Sequence, residues 1–189
     1  MRLSRGVLLV LMRLPKLTST PVLVLFAVSL AWTLLVFAAP YMVPSGTLTD
    51  ISGRVGYRDN TARFHNLSLI PHAIYDFGDV ECHQIKERSY FLNGNQMPFC
   101  ARDVAIFIGI AFGFGLMSFY RYKLHPALVL VGLVPIGIDG GLQAVTSYES
   151  TNPVRLVTGF IAGFVCALML AHFIFVLQED RSKTIGAKR

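Results

Sequence analysis

Charge is what this 189-residue chain has least of. Acidic and basic side chains make up 15% of it, and none occurs in residues 17–49, 104–120, 124–138 or 156–178. A helix needs about 20 mostly apolar residues to cross the roughly 30 Å hydrocarbon layer, and each stretch supplies or approaches that length. With 53% hydrophobic residues and a mean hydropathy of +0.55, the composition excludes an ordinary soluble domain. Cysteine is also scarce, at three residues. None pairs as C-x-x-C, so the spacing matches neither that redox motif nor a standard zinc knuckle. No repeat or low-complexity tract interrupts the chain.

The charge that is present is placed by topology. The net charge is +6, yet Arg2, Arg5, Arg13 and Lys16 precede the first apolar stretch, Arg121 and Lys123 separate the second from the third, and Arg181, Lys183, Lys188 and Arg189 follow the fourth. An in–out–in–out–in path puts all of these on one side, which the positive-inside rule makes the cytoplasm. The segment from 41 to 102 balances Arg54, Arg58, Arg63, Lys86, Arg88 and Arg102 against Asp50, Asp59, Asp76, Asp79, Glu81 and Glu87, and belongs outside. This distribution argues against nucleic acid as a partner. It points to the lipid bilayer, in a multi-pass protein of the cell membrane.

The expected fold is therefore an all-α integral membrane protein of four transmembrane helices, with both termini inside and an extracytoplasmic cap between helices one and two. Its parts are a basic leader (1–20), a first span (21–40), the outer segment (41–102), a three-helix membrane region (103–178) and a basic tail (179–189). Residues 36–38 could pass as a signal-peptide cleavage site, but the length of the apolar run and the basic leader favour a retained anchor. Residues 6–12 of the leader read as an amphipathic surface helix. Pro135 inside span three removes a backbone hydrogen bond, so a kink is expected there. Small residues recur every four positions: Ala105, Gly109 and Gly113; Gly137 and Gly141; Gly159, Gly163, Ala167 and Ala171. Such stripes let helix backbones approach closely in lipid. They fit packing within one bundle better than docking of partner helices or a homo-oligomer.

The densest polar run spans residues 79–103 and holds Cys82, His83, Cys100 and Asp103. Asp103 falls in the first turn of span two, where the helix dipole favours a carboxylate. Cys100, three residues earlier, faces the same way and feels the same dipole. Three readings stay open. Cys82 and Cys100 form a disulfide that staples the cap, contributing about 3 kcal/mol. Alternatively Cys82, Cys100 and Asp103, with His83 or another histidine, bind a zinc-like metal. In the third reading the thiols cycle in redox chemistry. Adjacent side chains such as Cys82 and His83 tend to point apart, so both serving one metal requires an irregular turn.

Asp139 lies well inside span three, where a carboxylate costs about 2.5–3.5 kcal/mol on insertion scales and marks a functional site by default. The alternative is that it pairs with Arg102 or Arg155. The outer turn at 148–155 brings Glu149 and Arg155 toward the same mouth, although Ser150, Thr151 and Asn152 there also read as a cap of span four.

In the order of its motifs the chain resembles a family of predicted membrane proteins, domain of unknown function 2085. The resemblance is carried by Cys82-His83-Gln84, Arg88-Ser89, Asn93-Gly94-Asn95-Gln96-Met97-Pro98, Cys100-Ala101-Arg102-Asp103, Ile138-Asp139-Gly140-Gly141-Leu142-Gln143 and Glu149-Ser150-Thr151-Asn152 with Arg155. It implies a polytopic fold and no particular activity. Many relatives carry a cysteine where this chain has Asp103, a departure that keeps a metal donor and so favours metal over redox. Two functions follow as expectations. One is a metal-binding or catalytic site at the outer face, with Asp139 or Glu149 as general base and Arg155 steadying an anionic group. The other is a non-catalytic membrane-complex subunit with a disulfide-stabilised cap.

Overall fold

Four helices in the computed structural model, which describes residues 17–187, are long and apolar enough to cross a membrane. The first, α1 (Thr20–Ala38), is apolar on every side and runs into a 3-10 turn at Ala39–Tyr41. A helix of that kind suits lipid contact over much of its surface. After it come α2 (Thr61–Phe64), α3 (Leu69–Glu81), a 3-10 turn at Lys86–Arg88 and a hairpin of β1 (Phe91–Leu92) with β2 (Asn95–Gln96). The remaining long helices are α4 (Ala101–Phe119), α5 (Ala127–Val145) and α6 (Asn152–Ala187). Expected spans and observed helices coincide closely. The expected leader helix at 6–12 lies outside the described residues. α5 continues as helix through Pro135, and α6 continues past residue 178, where a separate tail was expected, to Ala187.

The long helices form a row in which α1 packs on α4, α4 on α6 and α6 on α5. Two of the small-residue stripes make the central joint. A Cβ on Gly163 would strike the Ile106 carbonyl oxygen, one on Gly109 the Phe160 carbonyl, and one on Gly159 would come within 2.5 Å of the Arg102 carbonyl. The stripe on α5 does something else: Gly137 and Gly141 have nothing within 4 Å of a built Cβ, and the close contact of that helix is made by Gly132 against Val165.

The helix ends sort into two groups. At one end the Thr18 hydroxyl donates to the Met117 carbonyl (2.6 Å), Gln178 donates to the Ser19 hydroxyl (3.0 Å), and Arg121 pairs with Glu179 (3.3 Å). The start of α1 and the late turns of α6 thus share an end with the basic loop between α4 and α5. The segment from 42 to 100 folds over the opposite end.

That cap has both an apolar and a polar core. Ile51, Phe64, Tyr75, Met97 and Phe99 are buried with Val36 of α1 and Ala39 of the turn that follows it. The hairpin turns through Asn93 (φ 53) and Gly94 (φ 70), the left-handed pair that a two-residue type I′ turn needs. Behind it Asn95, fully buried, donates to the Pro40 carbonyl (2.9 Å) and accepts from the Thr47 and Leu48 amides. Gln96 donates to the Gln84 carbonyl (2.5 Å) and accepts from the Ile51 amide (3.2 Å). Asp79, also fully buried, accepts twice from Asn60 at 2.8 Å. A polar network satisfied to this degree fixes one arrangement of the chain.

Candidate metal centre

The cap brings together two thiols that the sequence separates. Helix α3 ends at Cys82, whose backbone is already extended, and the chain then reverses at Gln84 with a φ of 46°. A left-handed conformation at a residue other than glycine costs about 1–3 kcal/mol and persists only where its surroundings over-determine it. Here they do. Gln84 is fully buried, its side-chain amide donates to the Pro98 carbonyl (2.7 Å), and its backbone N–H reaches the Cys82 sulfur (3.5 Å). Gly78 makes the approach possible, since a Cβ there would collide with the Pro98 carbonyl oxygen and lie 2.7 Å from Gln84 Nε2.

On the other side Cys100 occupies the N-cap position of α4. Its backbone N–H donates to the Cys82 sulfur (3.4 Å) and its thiol donates to Asp103 Oδ2 (3.1 Å). One donor atom each from Cys82, Cys100 and Asp103 lies within 4.8 Å of the others. Both cysteines are free thiols, close but not bonded. Hydrogen bonding within the pair pulls Cys100 below the usual thiol value and, together with burial, pushes Cys82 above it. His83 is exposed at the rim of the same pocket and its ring is not part of the three-donor group. Successive side chains of the extended turn point to opposite sides, so burying Cys82 turns His83 outward.

Three guanidinium groups, from Arg88, Arg102 and Arg155, line a pocket of about 170 Å³ beside these donors. Arg155, itself 3% exposed, donates to Glu149 Oε1 (2.9 Å). Arg88 grips both oxygens of the same carboxylate (2.7 and 3.0 Å), and Gln143 adds a fourth hydrogen bond (3.0 Å). Arg102 donates to Asp139 at 2.5 Å, and the Tyr148 hydroxyl adds a bond of 3.2 Å to the other oxygen. Arg102 is one of the two partners the sequence allows for Asp139. Among the described residues the buried side-chain atoms lacking a hydrogen-bond partner are Gln84 Oε1 and Arg102 Nε, and both residues line this pocket. Buried polar atoms without partners are rare and call for an explanation such as an absent ligand.

The Arg88 guanidinium, and after it Arg155, holds the Glu149 carboxyl below its ordinary value. A depressed carboxyl contributes stability above its unfolded-state pKa and loses it as pH falls through the folded one. Thermal stability is therefore expected to drop on acidification below about pH 4.3, the unperturbed glutamate value. Glu149→Gln should flatten that part of the profile and lower stability at pH 7. Melting curves from pH 3 to 7 check this, and an unchanged acid limb in the variant would show that other groups set it.

The comparisons with known proteins bear on the same residues. A family described as predicted membrane protein, domain of unknown function 2085, matches residues 82–169. An uncharacterized protein of Methanothermobacter thermautotrophicus is 36% identical over 100 residues, covering 49% of this chain and 89% of that one. The chain belongs to this family. An uncharacterized protein of Methanocaldococcus jannaschii is 29% identical over 160 residues, covering 82% of this chain and 92% of that one. No solved structure matches.

The stretch matched to domain of unknown function 2085 begins at Cys82 and encloses every expected site residue: Cys82, His83, Cys100, Asp103, Asp139, Glu149 and Arg155. It leaves out α1 and α3. The structure draws six of the seven into the Cys82–Cys100–Asp103 cluster and the ion pairs of Asp139 with Arg102 and of Glu149 with Arg155, whose arginines line the same pocket as the cluster. Arg88 and Gln84 enter the site without having been read as site residues. Their position inside the motifs Arg88-Ser89 and Cys82-His83-Gln84 was the available signal.

Proposed function

We propose that the protein is a membrane metal site with a neighbouring anion pocket, placed at the outer face of the cell membrane. The observation that carries this reading is the meeting of three metal-type donors, within 4.8 Å of one another, in a pocket that Arg88, Arg102 and Arg155 also line. Two thiolates and a carboxylate are donors a zinc ion takes, and three protein ligands leave a fourth position for water or substrate. A zinc ion in such a site supplies a polarising charge or an activated water. Arg155 and Arg102 hold an anionic group against the open side. Asp139 and Glu149 act through the arginines they fix, which suits them better than work as free bases because their oxygens are already occupied. His83, at the rim, is the nearest additional imidazole. The start of α1 and the late turns of α6 lie inside, since they share their end with the loop bearing Arg121 and Lys123 and the positive-inside rule assigns that end to the cytoplasm.

A second reading rests on the nearness of the Cys82 and Cys100 sulfurs. Exposed to an oxidising exterior, the pair would close as a disulfide and the protein would serve as a stapled, non-catalytic subunit. Metal analysis of protein purified without chelator, with thiols counted after denaturation, separates the two. One bound zinc per chain and three free thiols are expected. Two blocked thiols and no metal would establish the staple instead.

A further inference from the structure

An apolar groove adjoins the arginine pocket, sharing two of its lining residues. A second cavity, of about 220 Å³, is walled by Phe77, Phe99, Ile106 and Phe107, and Glu81 and Asp103 line both it and the polar pocket. Ile106 and Phe107 lie one turn along α4 from Asp103, about 6 Å deeper at 1.5 Å per residue. They belong to a helix apolar enough to span the bilayer. From the end of the bundle inward the wall therefore changes from guanidinium, through carboxylate, to aromatic and aliphatic. That is the polarity sequence of a lipid lying in one leaflet.

We propose that the site takes a membrane lipid with a phosphate-type anionic headgroup. The inference rests on the anion-pocket reading above and names its ligand class. Arginine supplies the recognition: Arg88, Arg102 and Arg155 line the polar pocket, Arg88 and Arg155 sharing the one carboxylate of Glu149 and Arg102 pairing with Asp139. The headgroup lies among these guanidinium donors. A glycerol hydroxyl donates to the carboxylates at the junction, and the first part of the chain fills the groove. A soluble anion would leave the groove without a role.

The single tryptophan reports on this groove. Trp32 packs edge-on against Phe77 (5.4 Å between centroids), Phe99 (5.9 Å) and Phe107 (5.9 Å). The test uses the full chain in nanodiscs of unbrominated phosphatidylcholine, titrated with a monoacylglycerol phosphate brominated on its acyl chain, which quenches tryptophan on contact. Brominated monoacylglycerol lacking the phosphate is the control. Quenching by the phosphate form is expected to saturate at mole fractions about tenfold or more below the control, the scale of losing charge-assisted hydrogen bonds. Inorganic phosphate should not displace it. Ile106→Phe, which fills the groove, should weaken the phosphate form about tenfold while leaving cobalt uptake intact. Identical curves for the two amphiphiles overturn the proposal, and so does displacement by inorganic phosphate at comparable concentration, which would assign the pocket to a soluble anion. Cobalt uptake is read on the same samples. Selective quenching without uptake refutes the metal centre and supports the lipid site, whereas uptake with unselective quenching refutes the lipid site alone.

Discussion

Asp139→Leu is expected to destabilise the protein by about 3–5 kcal/mol, the cost of leaving one member of a buried ion pair uncompensated. The side chains of Asp139 and Arg102 are 4% and 23% exposed. Removing the carboxylate strands a guanidinium whose Nε already lacks a partner, and the remaining contact to Gln143 is long at 3.5 Å. The penalty belongs to the stranded charge and not to the pair itself, so removing both charges should cost far less. The double variant Arg102→Met, Asp139→Leu is therefore expected to recover most of the lost stability, because an apolar pair of similar volume replaces a buried ion pair at little cost. It should not recover binding of an anionic ligand. Asp139→Asn, which keeps an oxygen to accept from Arg102, should fall between parent and leucine variant. Thermal unfolding of these proteins in one detergent, with the single variant Arg102→Met added, closes the cycle and gives the coupling. A leucine variant as stable as the parent would mean that water or another group neutralises Arg102, and that Asp139 is retained in the span for some other purpose.

How far the sequence could be read depended on the range of the interaction involved. The four long apolar helices were legible because absence of charge over a helix-length stretch is a local property. The four-residue recurrence of Gly159, Gly163 and Ala167 likewise announced a packing face, and it meets Ala105 and Gly113 of the facing stripe as such faces should. The identical periodicity at Gly137 and Gly141 signalled nothing of the kind, because α5 sits at the edge of the row and packs on α6 through Gly132. Periodicity names a face without naming its neighbour. The cap hairpin was locally written in Asn93-Gly94, a strong two-residue turn signal. The buried amides of Asn95 and Gln96 were not, since the groups on the early part of the segment that they tie down lie 45–55 residues away. The site divides in the same way. Cys100 and Asp103 share a helix turn and could be placed together in advance. The grip of Arg88 on Glu149 spans 61 residues, and without it a glutamate at a pocket mouth reads as a base and not as an anchor for arginines.

The same separation of local from long-range causes makes Gly78→Val an informative variant: it is expected to abolish metal binding without altering a donor. Glycine is a poor helix former and its replacement within α3 should raise intrinsic helicity, so any damage must come from contact. The added Cβ meets the Pro98 carbonyl and Gln84 Nε2, neither of which can yield easily. Pro98 lies two residues before Cys100, and Gln84 is held in its left-handed turn by that same carbonyl. The helix must therefore move away from the chain entering α4, and Cys82, whose amide bonds to the Gly78 carbonyl (2.9 Å), moves with it. Metal–sulfur bonds near 2.3 Å tolerate only about 0.2 Å of error, so a shift of even 1 Å separates the donors. Cobalt or zinc affinity should fall by about 100-fold or more, with both thiols becoming readily alkylated. Gly137→Val, at a position with nothing within 4 Å, controls for the general cost of a valine in a membrane helix. Parental affinity in Gly78→Val would show that the approach of α3 to Pro98 does not set the distance between the two sulfurs.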